Sequence, residues 1–397
     1  MFSSFKKEFI IPLILSLALL AVLIGTSLAA KHFHKDPALS EIQNLAKTGD
    51  MQSQYDLGLR YEKGDGVRRK IITAVSWYRK AAEQDHIAAQ YKLGRLYFEG
   101  RGVSKNHEEA ARWYRKSADQ GDANAQVKLA SLYSKGQGVT KNEVESVKWY
   151  HKSAEQGNIY AQAQLSYIYH KGAGIAKDDE KSALWAKKAA LQGHAWSQYS
   201  YGFKNVYGRG LPKDKETGEY WILKSAEQGH ADGQNYLGRK YWEEMVFASE
   251  ESEVKKNFVL SEFWYRKSAE QGDADGQFHL SRMDDERYEL ALTPEEAFSW
   301  RVKAAKQGHI EAQLSLGDLY NGGNGFPKKD NERANYWYRK AAEQGHSSAQ
   351  LALGIRYFNG NGLEQNDEQA AYWLNKAAEQ GSIQAKRTLE KLLDKYR

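Results

Sequence analysis

The sequence predicts an all-α chain, an α/α solenoid of about nine helix-turn-helix repeats that follows an N-terminal hydrophobic helix. Three observations carry this. A glutamine followed by Gly (once by Asp) recurs at Gln84, Gln120, Gln156, Gln192, Gln228, Gln271, Gln307, Gln344 and Gln380, at an interval of 36 residues that widens once to 43 and once to 37. A tryptophan stands seven residues before each of these glutamines, and of the 11 tryptophans only Trp196 and Trp242 lie outside that column. A Gly-x-Gly loop separates two helical stretches in most of the units, as at Gly100 to Gly102. A fixed period of this length marks supersecondary units that bury their apolar faces by stacking.

The first element is residues 1–30. Lys6 and Lys7 precede an uncharged run, Phe9 to Ala30, which as a helix of about 33 Å would cross a bilayer core of about 30 Å. Ser27-Leu28-Ala29 also has the small-x-small form of a signal-peptide cleavage site. A signal anchor and a cleaved signal peptide both stay open. Lys6 and Lys7 favour an N-terminus kept in the cytoplasm. The chain from Lys31 onward is therefore expected either anchored in the inner membrane facing the periplasm, or periplasmic or secreted after cleavage. Residues 31–49 read as a linker and N-terminal cap.

Residues 50–381 read as the nine repeats. In HIAAQYKLGRLYFEG, Ala89, Leu93 and Tyr97 fall on one face of a 3.6-residue helix. The glycine that follows supplies the left-handed conformation at which such a helix ends. In EEAARWYRKSADQG, a small residue three positions before Trp113 and the later Ala118 let neighbouring helices approach and interlock. The Glu/Gln pair that closes each unit is either solvated or bonded between repeats. Residues 382–397 contain no second helix and read as a charged C-terminal capping helix.

Written as one pattern, the unit is A-x-x-Q-x-x-L-G-x-x-Y-x-x-G-x-G-V followed by A-x-x-W-Y-x-K-A-A-E-Q-G. It resembles the Sel1-like repeat family, a relative of the tetratricopeptide arrays, over about residues 38–397. The resemblance implies an exported bacterial solenoid that binds other proteins. A cysteine-rich branch of the family staples each repeat with a disulfide. This chain has no cysteine, so the β-lactam binding suggested for that branch is not carried over.

Little in the sequence points to chemistry. The net charge of +6 comes from 57 basic and 51 acidic residues interspersed along the chain, with no basic block of the kind that binds nucleic acid. Without cysteine there is no thiolate metal site. None of the Gly-x-Gly loops ends in Gly-Lys-Ser/Thr, and none follows a predicted strand, so they are not phosphate cradles. His86, His194, His230, His309 and His346 occupy one repeat position, where Asp50, Asp122, Asn158 and Asp273 stand in other units. That column reads as helix capping, because histidines a whole repeat apart do not converge on a metal. No Gly-x-Ser-x-Gly elbow is present. The reading is of a protein with no catalytic residues and no cofactor.

Constant columns hold a repeat scaffold, and variable ones are candidates for recognition. Counting from the first-helix glutamine, positions two, five and nine later form one variable helical stripe. In solenoids of this type the first helices line the concave face. Units five to seven depart most, with Phe203, Tyr207, Tyr236, Arg239, Trp242 and Arg282, the residue types that dominate interface hot spots. Unit six carries a seven-residue expansion around MVFASEESEVKKN, and unit seven replaces its glycine loop with MDDERYELALTPEE. The expected function is non-enzymatic binding of one protein partner on the concave face outside the inner membrane. One form is an immunity protein that neutralises a delivered, secreted toxin. The alternatives are a surface factor that binds host protein and a periplasmic envelope regulator. A cell-wall or β-lactam hydrolase is the alternative of a different class.

Overall fold

The structure, a computed structural model, describes residues 37–284, 292–322 and 327–395. The apolar run Phe9 to Ala30 lies outside the described residues, and among those described no helix is long and apolar enough to cross a membrane. All of the secondary structure described is helical, in twenty helices. They divide into two compact units, up to Lys177 and from Asp178 onward.

The first unit holds α1 (Pro37–Thr48), α2 (Met51–Lys63), α3 (Ile71–Glu83), α4 (Ile87–Glu99), α5 (His107–Asp119), α6 (Ala123–Lys135), α7 (Glu143–Glu155) and α8 (Ile159–Lys171). Each helix packs mainly on its sequence neighbours. Local chemistry sets the boundaries. Asn106 accepts the N–H groups of Glu108 and Glu109 to start α5, and Gly100 in the left-handed region ends α4. The alternation of small and large residues acts between the two helices of a pair. A Cβ on Gly94 would lie 2.6 Å from the Tyr114 ring, which is why glycine faces tyrosine there.

A second kind of contact joins successive pairs. The buried Gln90 amide donates to the Ala82 carbonyl of the preceding repeat at 3.2 Å, and its oxygen accepts from Gln120, at the end of its own repeat, at 2.7 Å. Ala82 lies in the last turn of α3, where its carbonyl takes a turn N–H from Asp85 at 3.1 Å in place of a helical donor, and the amide fills its second acceptor position. The same two bonds recur at Gln54 with Gln84 and at Gln126 with Gln156. Asp85, which replaces glycine in the first unit, has φ +68°, and its carboxylate accepts from Gln90 at 3.1 Å. That bond offsets the strain of a left-handed non-glycine residue.

The second unit holds α9 (Asp179–Leu191), α10 (Ala195–Tyr207), α11 (Lys215–Glu227), α12 (Ala231–Phe247), α13 (Glu251–Glu270), α14 (Ala274–Leu280), α15 (Pro294–Lys306), α16 (Ile310–Gly322), α17 (Asn331–Glu343), α18 (Ser347–Asn359), α19 (Asp367–Glu379) and α20 (Ile383–Asp394). Its glutamine rungs run from Gln228 on Gln198 through Gln271 on Gln234 and Gln307 on Gln277 to Gln380 on Gln350. The expansion of unit six is taken up as helix. α12 and α13 have 17 and 20 residues, where most of the others have 13. Unit seven does the opposite: α14 stops after seven residues. The buried Arg301 guanidinium then donates to the Ser281 carbonyl at 2.7 Å, while Leu280, Met283 and Leu292 pack with Met245 and Phe258. A capping box between Thr293 and Glu296 starts the next helix.

The glycines of the loops are not equivalent, and this is testable. Both Gly121 and Gly138 have positive φ, but a Cβ on Gly138 would lie 2.0 Å from the His107 carbonyl oxygen, whereas one on Gly121 meets nothing within 4 Å. Gly121→Ala is expected to cost about 1–2 kcal/mol of backbone strain. Gly138→Ala should cost about 1–3 kcal/mol more from overpacking, read as the difference in chemical-denaturation midpoints.

Candidate functional site

The periodic residues turn out to be occupied by the scaffold. Trp113, Trp149 and Trp185 are buried. The amines of Lys80, Lys152, Lys188 and Lys303 lie 4.4, 4.0, 4.2 and 3.6 Å above the Trp77, Trp149, Trp185 and Trp300 rings, in cation–π contact one turn along the second helices. In the histidine column the Nδ1 atoms of His86, His309 and His346 accept the N–H groups of Ala89, Ala312 and Ala349 at 3.2, 3.1 and 3.4 Å. Asp122 does the same for Ala125 at 2.6 Å. Histidine and aspartate thus share one capping function. His230 departs from it: it makes no cap bond, and its ring stacks on Tyr199 at 5.4 Å.

The six residues singled out in the variable stripe all lie in the second unit, and they form a continuous run. Phe203 and Tyr207, at the end of α10, stand with ring centroids 4.4 Å apart. Arg239 of α12 reaches the Tyr207 hydroxyl at 3.5 Å and lies 5.8 Å from the Tyr236 ring. Arg239, Trp242 and Arg282 then line one cleft of about 190 Å³. Two of the six also serve the core. Tyr236 packs against the cluster of Val206, Ile222 and Leu237, and Trp242 against that of Met245 and Phe258. Arg282 does not sit on a helix, as the column would place it, because α14 ends at Leu280 and the chain turns to bury Met283. Glu286, the next position of the stripe in that unit, lies outside the described residues.

The structure adds residues that the stripe did not contain. Arg209, the middle residue of the Gly208-x-Gly210 loop, lies over Phe203 at 5.1 Å. The signal for it was weak, since this loop position varies from unit to unit. Tyr265, from the tyrosine column of the second helices, forms the floor of the cleft with His279, the two rings stacked at 4.9 Å. Burial, and then the charge of Arg282, push the His279 imidazole down to about 4. A second cleft of about 180 Å³ shares Arg239 and His279 and is bordered by Asp232 and Asp275. Those carboxylates stand in the first turns of α12 and α14, where helix N-termini favour negative charge. Asp232 and Asp275 thus border one end of the run, while Arg239 and Arg282, with Glu243 beside Arg239, line the other. Among the described residues no group of three or more His, Asp or Glu side chains could hold a metal ion.

Comparison with known proteins adds a family. Residues 52–86, 87–122, 123–158, 159–194, 197–230, 231–273, 294–309, 310–346 and 347–382 match the Sel1 repeat model. No curated protein matches. Among solved structures, a protective antigen present in uropathogenic Escherichia coli strains, displaying an SLR fold, is 36% identical. The match covers 89% of this chain and 74% of that one, with a TM-score of 0.73. A Sel1 repeat protein from Oxalobacter formigenes is 27% identical, with 89% of each chain covered and a TM-score of 0.47. An immunity protein from Pseudomonas aeruginosa is 22% identical over 57% of this chain and 82% of its own, with a TM-score of 0.32.

The buried histidine gives a pH prediction. His279 titrates near 6.5 when unfolded and at about 4 when folded, so the folded state binds fewer protons in between, and stability falls as pH drops through that window. His86, His194 and His230 are shifted down by burial in the same sense. Going from about pH 7 to about pH 5, the melting temperature should fall, and His279→Gln should reduce that fall by a few degrees. An identical fall in the variant would refute the assignment.

Proposed function

Since the chain belongs to the Sel1 repeat family, we propose that it is a non-enzymatic protein-binding solenoid, exposed outside the inner membrane, that grips a protein partner along the first helices of its second unit. One observation carries the reading. Phe203, Tyr207, Tyr236, Arg239, Trp242 and Arg282 come from three successive repeats and meet in one surface, while the constant columns are spent on packing, capping and inter-repeat hydrogen bonds. Aromatic and arginine side chains of this kind supply most of the energy of protein interfaces. Export rests on Lys6, Lys7 and the uncharged run from Phe9 to Ala30.

The solved relative described as a protective antigen of uropathogenic strains favours a second, finer reading, that of an exposed factor acting at the cell surface. An immunity role would instead show itself as stoichiometric inhibition of a toxin encoded beside this chain.

The test is affinity capture with the wild-type chain and a Phe203→Ala, Tyr207→Ala, Arg239→Ala variant, leaving Trp242 in place because it also packs on the core. The wild type should retain a partner that the variant loses by more than tenfold, with an unchanged melting curve. Equal retention by the two proteins would reject the site.

A further inference from the structure

The cleft at Arg239 and Arg282 has more hydrogen-bond donors than the described residues supply acceptors for. Each guanidinium carries five N–H donors. Among the described residues, Arg239 reaches only Glu243 at 3.8 Å and the Tyr207 hydroxyl at 3.5 Å, both long for a charge-assisted bond. Arg282 has no ion pair among the described residues, and its guanidinium lies 5.9 Å from the Phe278 ring. The floor is Tyr265, which is buried, and His279, which is neutral. Trp242 supplies an apolar wall, and Glu243 stands at the exposed rim beside Arg239. Two cations face a partly desolvated, mainly apolar recess, where an opposite charge gains more than it would in open water.

We propose that this cleft receives a carboxylate side chain, aspartate or glutamate, from an internal segment of the protein partner, with an aromatic or aliphatic neighbour of that residue packed against Trp242. The assignment rests on the protein-binding reading and names the chemistry recognised at its centre. At about 190 Å³ the cleft is smaller than the 300–1,000 Å³ usual for small-molecule sites, which favours one inserted side chain over a free ligand. The binding run continues beyond Arg239 to Tyr207 and Phe203, so the bound segment extends past the carboxylate along that run. An ammonium group would meet two like charges there. Asp232 and Asp275, at the other edge of the run, offer a basic residue of the same segment a place about two helical turns away from the arginines.

The full chain can be titrated with a blocked peptide, acetyl-Phe-Glu-Phe-Glu-Phe-amide, with its glutamine isostere, and with the glutamine peptide bearing a free C-terminal carboxylate. The glutamate peptide should bind about tenfold more tightly than the glutamine amide, and the preference should weaken with salt. It should vanish in Arg239→Gln, Arg282→Gln, with an unchanged melting curve. Equal binding of the glutamate and glutamine peptides, failure of either to bind at low millimolar concentration, or a preference that survives the double substitution would overturn the proposal. A preference confined to the free C-terminus would overturn the internal-segment assignment. Any of these results would leave the capture experiment on the whole partner standing as a separate test of the protein-binding reading.

Discussion

The fold depends on a hydrogen-bonded ladder of glutamine side chains. In each rung a buried amide donates to a carbonyl at the end of the preceding repeat, and at the same time accepts from the glutamine that closes its own repeat. Gln90, with Ala82 on one side and Gln120 on the other, is representative. Both partners are polar and lie at an interface that is otherwise alanine, leucine and aromatic rings. Apolar packing alone would tolerate a slip of one helical position between repeats. A buried amide left without its partners costs more than a displaced methyl group, so the ladder fixes the register in which the apolar faces meet.

This constraint also divides the residues of a repeat into two sets. The glutamines, the tryptophans under their lysines, the capping histidines and the loop glycines are all committed within the scaffold. Side chains on the outer stripe of the first helices take little part in it and are free to change. In the second unit they have become aromatic and basic. The long helices α12 and α13 and the shortened α14 reshape the same region, so that α12 faces a turn carrying Arg282 where other repeats present a full helix. The surface proposed for recognition thus lies where the repeat is least regular.

Most of the scaffold could be read from the chain because periodicity reports it many times over. Trp77 and its counterparts, the Gly100 to Gly102 loop and the Ala, Ser or Gly three positions before each tryptophan all do in the structure what their spacing implies. The membership of the variable run was legible for the same reason: Phe203, Tyr207 and Arg239 stand out only against constant neighbours. Other features were not legible. The position of Arg282 depends on where α14 stops, and that is decided by the buried Arg301 and by Met283, which no column marks. The floor made by Tyr265 comes from a residue whose sequence position says only that it is core. Asp85 stands in the sequence only as the one exception to glycine after the glutamine, and its bond to Gln90 is a tertiary contact that local sequence does not announce.

The central claim, that the glutamine ladder holds the repeats in register, is tested most directly by a double-mutant cycle. Chemical denaturation of the wild type, Gln90→Leu, Gln120→Leu and the double variant gives the coupling between the two side chains. The account predicts that the Gln120 substitution alone destabilises, because it leaves without its donor the buried Gln90 oxygen, whose amide nitrogen holds Ala82 of the preceding repeat, and that the two effects are coupled by about 1 kcal/mol or more. Strictly additive effects, or a Gln120→Leu variant as stable as the wild type, would contradict it.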